Sequence, residues 1–188
     1  VNFRGSDFRN ANLSNSNFSM SSFEGADLSD CNLSSSNFTG ANFSAATAAG
    51  ADMTFSTFTG ADFSDSDLKR SRFANSKISH AIFANADLTG ANLQMTDAVL
   101  AIFRNARMEE IDAYGSSMIG ANLSGAFLHK AKLHGADLNG ADLTSTDLTE
   151  AALLDVSLTG ADLSNADMRG AQIRPNDMIR TKMDNVRK

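Results

Sequence analysis

Large apolar residues return at every fifth position along this chain. From Phe3 to Met183 that register has 37 positions, holding 15 Leu, 11 Phe, six Met, two Ile and three Ala, and no polar or charged residue. Two residues before each of these centres, Ala, Ser, Thr or Cys fills 33 positions; Val1, Ile111, Val156 and Asn176 are the exceptions. The residue between the two is Asp or Asn in 22 repeats. All 13 glycines fall two residues after a centre, and no insertion disturbs the count.

A period of five suits neither a helix nor an ordinary strand. Five helical residues turn through about 500°, so equivalent positions leave the common face. In a strand an odd period flips the apolar residue from one side to the other at each repeat. The pattern works only if the chain is reset every five residues, and a turn in each repeat does that. The centre and the small residue two before it then point inward together, and the Asp/Asn between them points out. The next two residues make a corner. Gly, Asn or Asp fills 23 of the 37 second-corner positions, and these residues tolerate positive φ. Four sides close a square, so one coil takes 20 residues. An independent sign of that number is the Phe column at 3, 23, 43, 63, 83 and 103, with Phe18, Phe38 and Phe58 on the adjoining side.

The motifs GADLNGADLT (135–144), GADLSNADM (160–168) and GANFS (40–44) resemble the pentapeptide-repeat family, and the resemblance covers essentially the whole chain. It implies an all-β fold, a right-handed quadrilateral β-helix (solenoid) of about nine four-sided 20-residue coils. At the ~4.8 Å spacing of neighbouring strands such a rod is roughly 45 Å long. We take residues 1–173 as the β-helix and 174–188 as an irregular or capping segment, because the tail is charged, contains Pro175 and loses the small residue at Asn176. Unpaired coil ends are templates for stacking, so a homodimer or end-to-end packing through uncapped coils is one expectation.

Composition adds limits. The net charge is −6 but unevenly spread: residues 135–168 carry seven acidic groups and no basic one, whereas 69–80 carry four basic groups and no acidic one. No broad basic face emerges, which argues against direct nucleic-acid binding. No run approaches the ~18–20 apolar residues of a membrane span. The first residue is Val1, already within the repeat, so an upstream targeting segment stays open. The expectation for location is a soluble protein of the cytoplasm or, by the family resemblance, the thylakoid lumen. Cys31 occupies an inward small-residue position and reads as packing.

Chemistry is sparse. His129 and His134 are five apart, hence a quarter-turn apart, and do not converge as metal ligands do. The glycines are too evenly spaced for a phosphate loop. We expect no enzyme, no cofactor and no metal.

Function is therefore sought where the repeat is broken. On the 20-residue map, outward Ile82 and Ile102 share a column, Val99 and Ile119 share a neighbouring one, and Leu100 sits at the corner between them. These five predict an exposed apolar patch midway along the rod, the kind of feature that marks partner sites. The competing expectation is that the small centres Ala98 and Ala113 let the coil buckle and turn Val99 or Leu100 inward. Outward Asp7, Asp27, Asp67, Asp87, Asp147 and Asp167 share another column, broken by Thr47, Arg107 and Phe127. This column reads as a solvated face or, by the family resemblance, as a DNA mimic that binds type II topoisomerases. Six net charges over roughly 45 Å is about one per 7 Å, far sparser than the one per ~1.7 Å of duplex DNA. The preferred reading is a non-catalytic scaffold that presents a rigid surface to a protein partner. The alternatives are the topoisomerase modulator of the quinolone-resistance or toxin-immunity type, and a cyanobacterial or thylakoid-lumen accessory protein.

Overall fold

The computed structural model describes residues 1–188, apart from the side chains of residues 175 and 176. A corner follows each five-residue side. Of the 37 second-corner positions, 36 have φ between +53° and +77°. The exception is Pro175, whose ring forbids positive φ. Thirteen of the left-handed corners are not Gly, Asn or Asp, among them Met20, Phe55, Met95 and Leu100.

Each side but the one at Ser157 forms a parallel rung with the residue 20 further on, from Asn2↔Ser22 to Asp167↔Arg187. Four five-residue sides therefore complete one turn of the coil. Three backbone bonds tie each side from Phe3 to Leu148 to the next coil, as Phe23 N–H to Asn42 O (2.6 Å), Gly25 N–H to Ser44 O (2.9 Å) and Asn42 N–H to Ser21 O (2.9 Å) show. Most corners close with a fourth, from the small residue's N–H back to the preceding centre, such as Ala26 N–H to Phe23 O at 2.9 Å. At Ser16 and Ser36 that N–H turns instead to a hydroxyl in the next coil, Ser36 Oγ and Ser56 Oγ respectively, both at 3.0 Å.

The Asp/Asn between small residue and centre has a structural task. In 21 of 22 cases its Oδ1 accepts the N–H of the residue two further on, at 2.8–3.4 Å. This side-chain turn holds the first corner residue while the second goes left-handed. Where that first corner residue is Ser or Thr its hydroxyl often adds a second bond, as Thr144 Oγ1 to Asp142 Oδ1 at 2.7 Å.

The interior is filled by the centres and the small residues. Phe23, Phe43, Phe63, Phe83 and Phe103 are fully buried and stack 4.7–4.9 Å apart with interplanar angles of 2–9°. The ring spacing equals the strand spacing, so the backbone rungs set the stack. Phe38 and Phe58 form a parallel ladder at 5.0 Å, and the two ladders meet edge to face, as Phe58 and Phe63 do at 5.4 Å and 60°. The buried hydroxyls of Ser66, Ser76, Thr96, Ser116 and Thr146 donate to the preceding centre's carbonyl, as Thr146 Oγ1 does to Leu143 O at 2.7 Å. Cys31 is fully buried, and burial pushes its thiol up to about 11. In the first coil Phe3, Phe8, Leu13 and Phe18 are only half-buried.

Residues 174–188 depart once from the coil. A 3-10 turn, Pro175–Met178, stands where the next left-handed corner would be. No rung joins Ser157 to residue 177, but Lys182 and Arg187 pair again with Asp162 and Asp167.

Asp142→Ala should lower stability by about 1 kcal/mol, the scale of a lost side-chain cap, whereas Asp142→Asn keeps the acceptor and should stay near the parent chain. Chemical denaturation of the three chains measures this; equal losses for Ala and Asn would show that the turn bond is not what holds the corner.

Candidate protein-interaction surface

Parallel rungs decide which outward residues are neighbours. Ile82 pairs with Ile102 in one rung column. At the adjoining corner, His80 N–H reaches Val99 O at 3.0 Å and Leu100 N–H reaches Ile119 O at 2.9 Å, so Val99 and Ile119 lie one coil apart. All five side chains of the expected patch are on the outside of coils 81–120. Leu100, Ile102 and Ile119 are 49%, 36% and 41% exposed, and Ile82 and Val99 are half-buried.

The coil does not buckle there. Ala98 and Ala113 are fully buried, and their N–H groups keep the ladder bonds to Ser117 O (2.7 Å) and Lys132 O (2.8 Å). The backbone bonds hold the register even where the centre is too small to fill its column. Leu100 sits at φ +57° and leans over Gly120, where an added Cβ would lie 2.8 Å from Leu100 Cδ2.

More exposed apolar residues lie around the same part of the rod. Phe55, Met95 and Tyr114 are exposed at the preceding corner, and Tyr114 stacks on His134 with centroids 5.7 Å apart. Phe127, which in sequence only interrupts the acidic column, is itself an exposed aromatic. Its rung neighbours, Arg107 and Asp147, are charged, so along the sequence it stands out only as a break in the acidic column.

The structure places Asp7, Asp27, Asp67, Asp87, Asp147 and Asp167 in one column. It also answers most of their charge. Arg9 reaches Asp7 at 2.7 Å and Asp27 at 3.6 Å; Lys69 bridges Asp67 and Asp87 at 3.2 Å each. Arg107 lies 3.9 Å from Asp87, and Arg169 and Arg187 lie 2.7 and 3.9 Å from Asp167. Only Asp147 has no cation within 4 Å among the described residues; its Oδ1 takes the Thr149 N–H and hydroxyl at 2.9 and 2.6 Å. Arg107, which in sequence only interrupts the stripe, is one of its counter-ions. Side-chain hydrogen bonds from Arg9, together with its backbone N–H, hold the Asp7 carboxyl at about 2, below the ordinary 3.8.

Among the described residues no three of His, Cys, Asp and Glu come together as a metal site. His129 Nδ1 pairs with Thr149 Oγ1 at 2.8 Å, and His134 Nε2 lies 3.5 Å from Asp155. No helix among them is long and apolar enough to cross a membrane.

Family models match almost the whole chain: a pentapeptide repeat region over residues 1–83, and pentapeptide repeats in eight copies over 66–105, 101–140 and 136–174. The chain belongs to the pentapeptide-repeat family. Members form right-handed β-helices and are generally structural or interaction proteins. Among solved structures, QnrB1, a plasmid-mediated fluoroquinolone resistance protein, is 20% identical over 96% of this chain and 95% of its own, with a TM-score of 0.56. HetL, a pentapeptide-repeat protein involved in heterocyst differentiation regulation in the cyanobacterium Nostoc, is 23% identical over 89% and 87%, with a TM-score of 0.33. A pentapeptide-repeat protein of the Arabidopsis thaliana thylakoid lumen is 26% identical over 69% and 70%, with a TM-score of 0.31. No curated protein matches the sequence.

Because the folded-state pKa of Asp7 is depressed, its contribution to stability is present above the ordinary value of 3.8 and is lost as pH falls through about 2. Asp7→Asn should therefore flatten the dependence of the unfolding midpoint on pH across that window. Thermal melts between pH 4 and 2 check it; identical slopes for the two chains would mean that Arg9 does not hold the carboxylate in solution.

Proposed function

We propose that this member of the family is a non-catalytic scaffold, a rigid rod of about nine four-sided coils whose apolar patch Ile82, Val99, Leu100, Ile102 and Ile119 binds another protein. The observation that carries this reading is Leu100. A non-glycine residue in the left-handed region costs roughly 1–2 kcal/mol, and Leu100 adopts it while half its side chain meets water. Gly120, at the same corner one coil on, has that geometry without the cost. An exposed leucine in this geometry suits a contact with a partner, which would bury the side chain that the corner leaves in water. Phe55 and Met95 repeat the combination at the neighbouring corner. Exposed aliphatic neighbours in register offer a flat, preformed face, which limits the ordering entropy of binding.

The topoisomerase-modulator reading is the weaker one. It needs an unanswered anionic stripe, and five of the six column aspartates have a cation within 4 Å. The likeness to QnrB1, at 20% identity, carries the fold alone.

Affinity capture from the source lysate, with the parent chain set against Ile102→Asp, tests the proposal. A protein retained by the parent and lost with Ile102→Asp is the expected outcome; a partner held equally by both sinks the patch. Inhibition of purified gyrase supercoiling would move the function to the acidic column. Leu100→Asn should leave stability within about 1 kcal/mol of the parent, since Asn tolerates the left-handed corner, while weakening capture. A larger loss of stability would make Leu100 a structural residue instead.

A further inference from the structure

The patch wraps round a corner of the rod, and the two sides that meet there differ. Ile82 and Ile102 lie on one. The other carries a rung column that runs Thr57, Lys77, Asp97, Ser117, Asp137 and Ser157. Its charges are of both signs. Lys77, Asp97 and Asp137 make no ion pair within 4 Å among the described residues.

Apolar side chains stand at both edges of this second side. Val99, Leu100 and Ile119 are at one edge. Met95 and Tyr114, 57% and 51% exposed, are at the other. At each edge a large corner residue leans over a glycine one coil on. An added Cβ would lie 2.8 Å from Leu100 Cδ2 at Gly120 and 2.7 Å from Met95 Sδ at Gly115.

We infer that two copies of the chain meet on this side, face to face with their rods antiparallel, about a two-fold axis between the Asp97 and Ser117 rungs. The order of charges along the column selects that arrangement. A two-fold axis along the rods would set Lys77, Asp97 and Asp137 each against itself, and like charges in register repel. A two-fold axis across the rods reverses the order of the rungs and keeps each edge against the same edge of the second copy. Centred on the Asp97 rung it sets Asp97 against itself; centred on the Ser117 rung it sets Asp97 against Asp137. Centred between Asp97 and Ser117 it brings Lys77 to Asp137 of the second copy and Asp97 to Ser117, each contact occurring twice.

An axis between Lys77 and Asp97 also joins opposite charges, but it lays Leu100 against His80 and Ile119 against Thr59. The register proposed lays Val99 against Ile119 at one edge. It also sets each large corner residue against a glycine, Leu100 against Gly120 and Met95 against Gly115. Charge and apolar surface thus pick the same register independently. The contact is isologous, the commonest kind between identical chains. It rests on the reading of the patch as a protein-binding surface and names the protein bound at Val99, Leu100 and Ile119 as a second copy; Ile82 and Ile102 border the contact.

Sedimentation velocity of the purified chain over a range of concentrations tests this, with a reversible dimer expected. Lys77 is exposed, and Lys77→Glu should weaken the dimer about tenfold. Adding Asp137→Lys to the same chain should recover most of that loss, because each crossing pair returns with its signs exchanged. Leu100→Asn should weaken the dimer with the charge unchanged. Circular dichroism checks that every variant keeps the coil. A chain that stays monomeric up to about 1 mM overturns the second copy as partner. Ile102-dependent capture of a different protein would then leave the patch standing, whereas Ile102-independent capture would remove both. A dimer indifferent to Lys77→Glu and Leu100→Asn overturns this contact. Rescue of Lys77→Glu by Asp97→Lys, and not by Asp137→Lys, overturns the register.

Discussion

The left-handed corner is the constraint from which the rest of this molecule follows. One residue in five must take positive φ so that the chain turns through a right angle and begins a new side. That requirement fixes the period, places each centre inward and lets every side pair with the one 20 residues on. It also explains the Asp and Asn at the outward position, whose Oδ1 binds the first corner residue while the second turns left-handed. Thirteen corners meet the requirement with residues that dislike it. Pairing with neighbouring coils holds them there, since each side from Phe3 to Leu148 shares three backbone bonds with the following coil.

Much of this was legible in the sequence because the spacing is unbroken. A five-residue period admits no other reading once helix and strand are excluded, and the Phe column at intervals of 20 fixes the number of sides. The position of the apolar patch was legible for the same reason: columns in a regular coil are arithmetic. Whether Ala98 and Ala113 would let the coil collapse was not legible. Side-chain volume alone suggests they might, and only the ladder bonds to Ser117 and Lys132 show that backbone pairing prevails. Pro175 announced a departure, but not that Lys182 and Arg187 would return to the register after it.

Electrostatics was the least readable part. A column of aspartates counted along the chain looks like an anionic stripe, since ion pairs across coils and around corners are invisible to counting. Lys69 sits two residues from Asp67 and a coil away from Asp87, yet it serves both. The same blindness applies at the patch rim. Arg104 and Arg107 are three residues apart and look alike in sequence. Arg107 is engaged by Asp87 and Glu109, whereas Arg104 meets no carboxylate among the described residues. Distinguishing an occupied charge from a free one required the coil's geometry.

The two Phe ladders stop at Phe58 and Phe103, and beyond residue 105 the centres are Leu, Met, Ile and Ala. In a solenoid each coil touches only its neighbours, so local packing sets local resistance to opening. The packing of the rod is thus graded: stacked rings fill its first half, and aliphatic columns, with a missing rung near Pro175, fill the second. The patch lies at the junction of the two regimes: its outermost coil, residues 101–120, holds the ladder's last ring, Phe103.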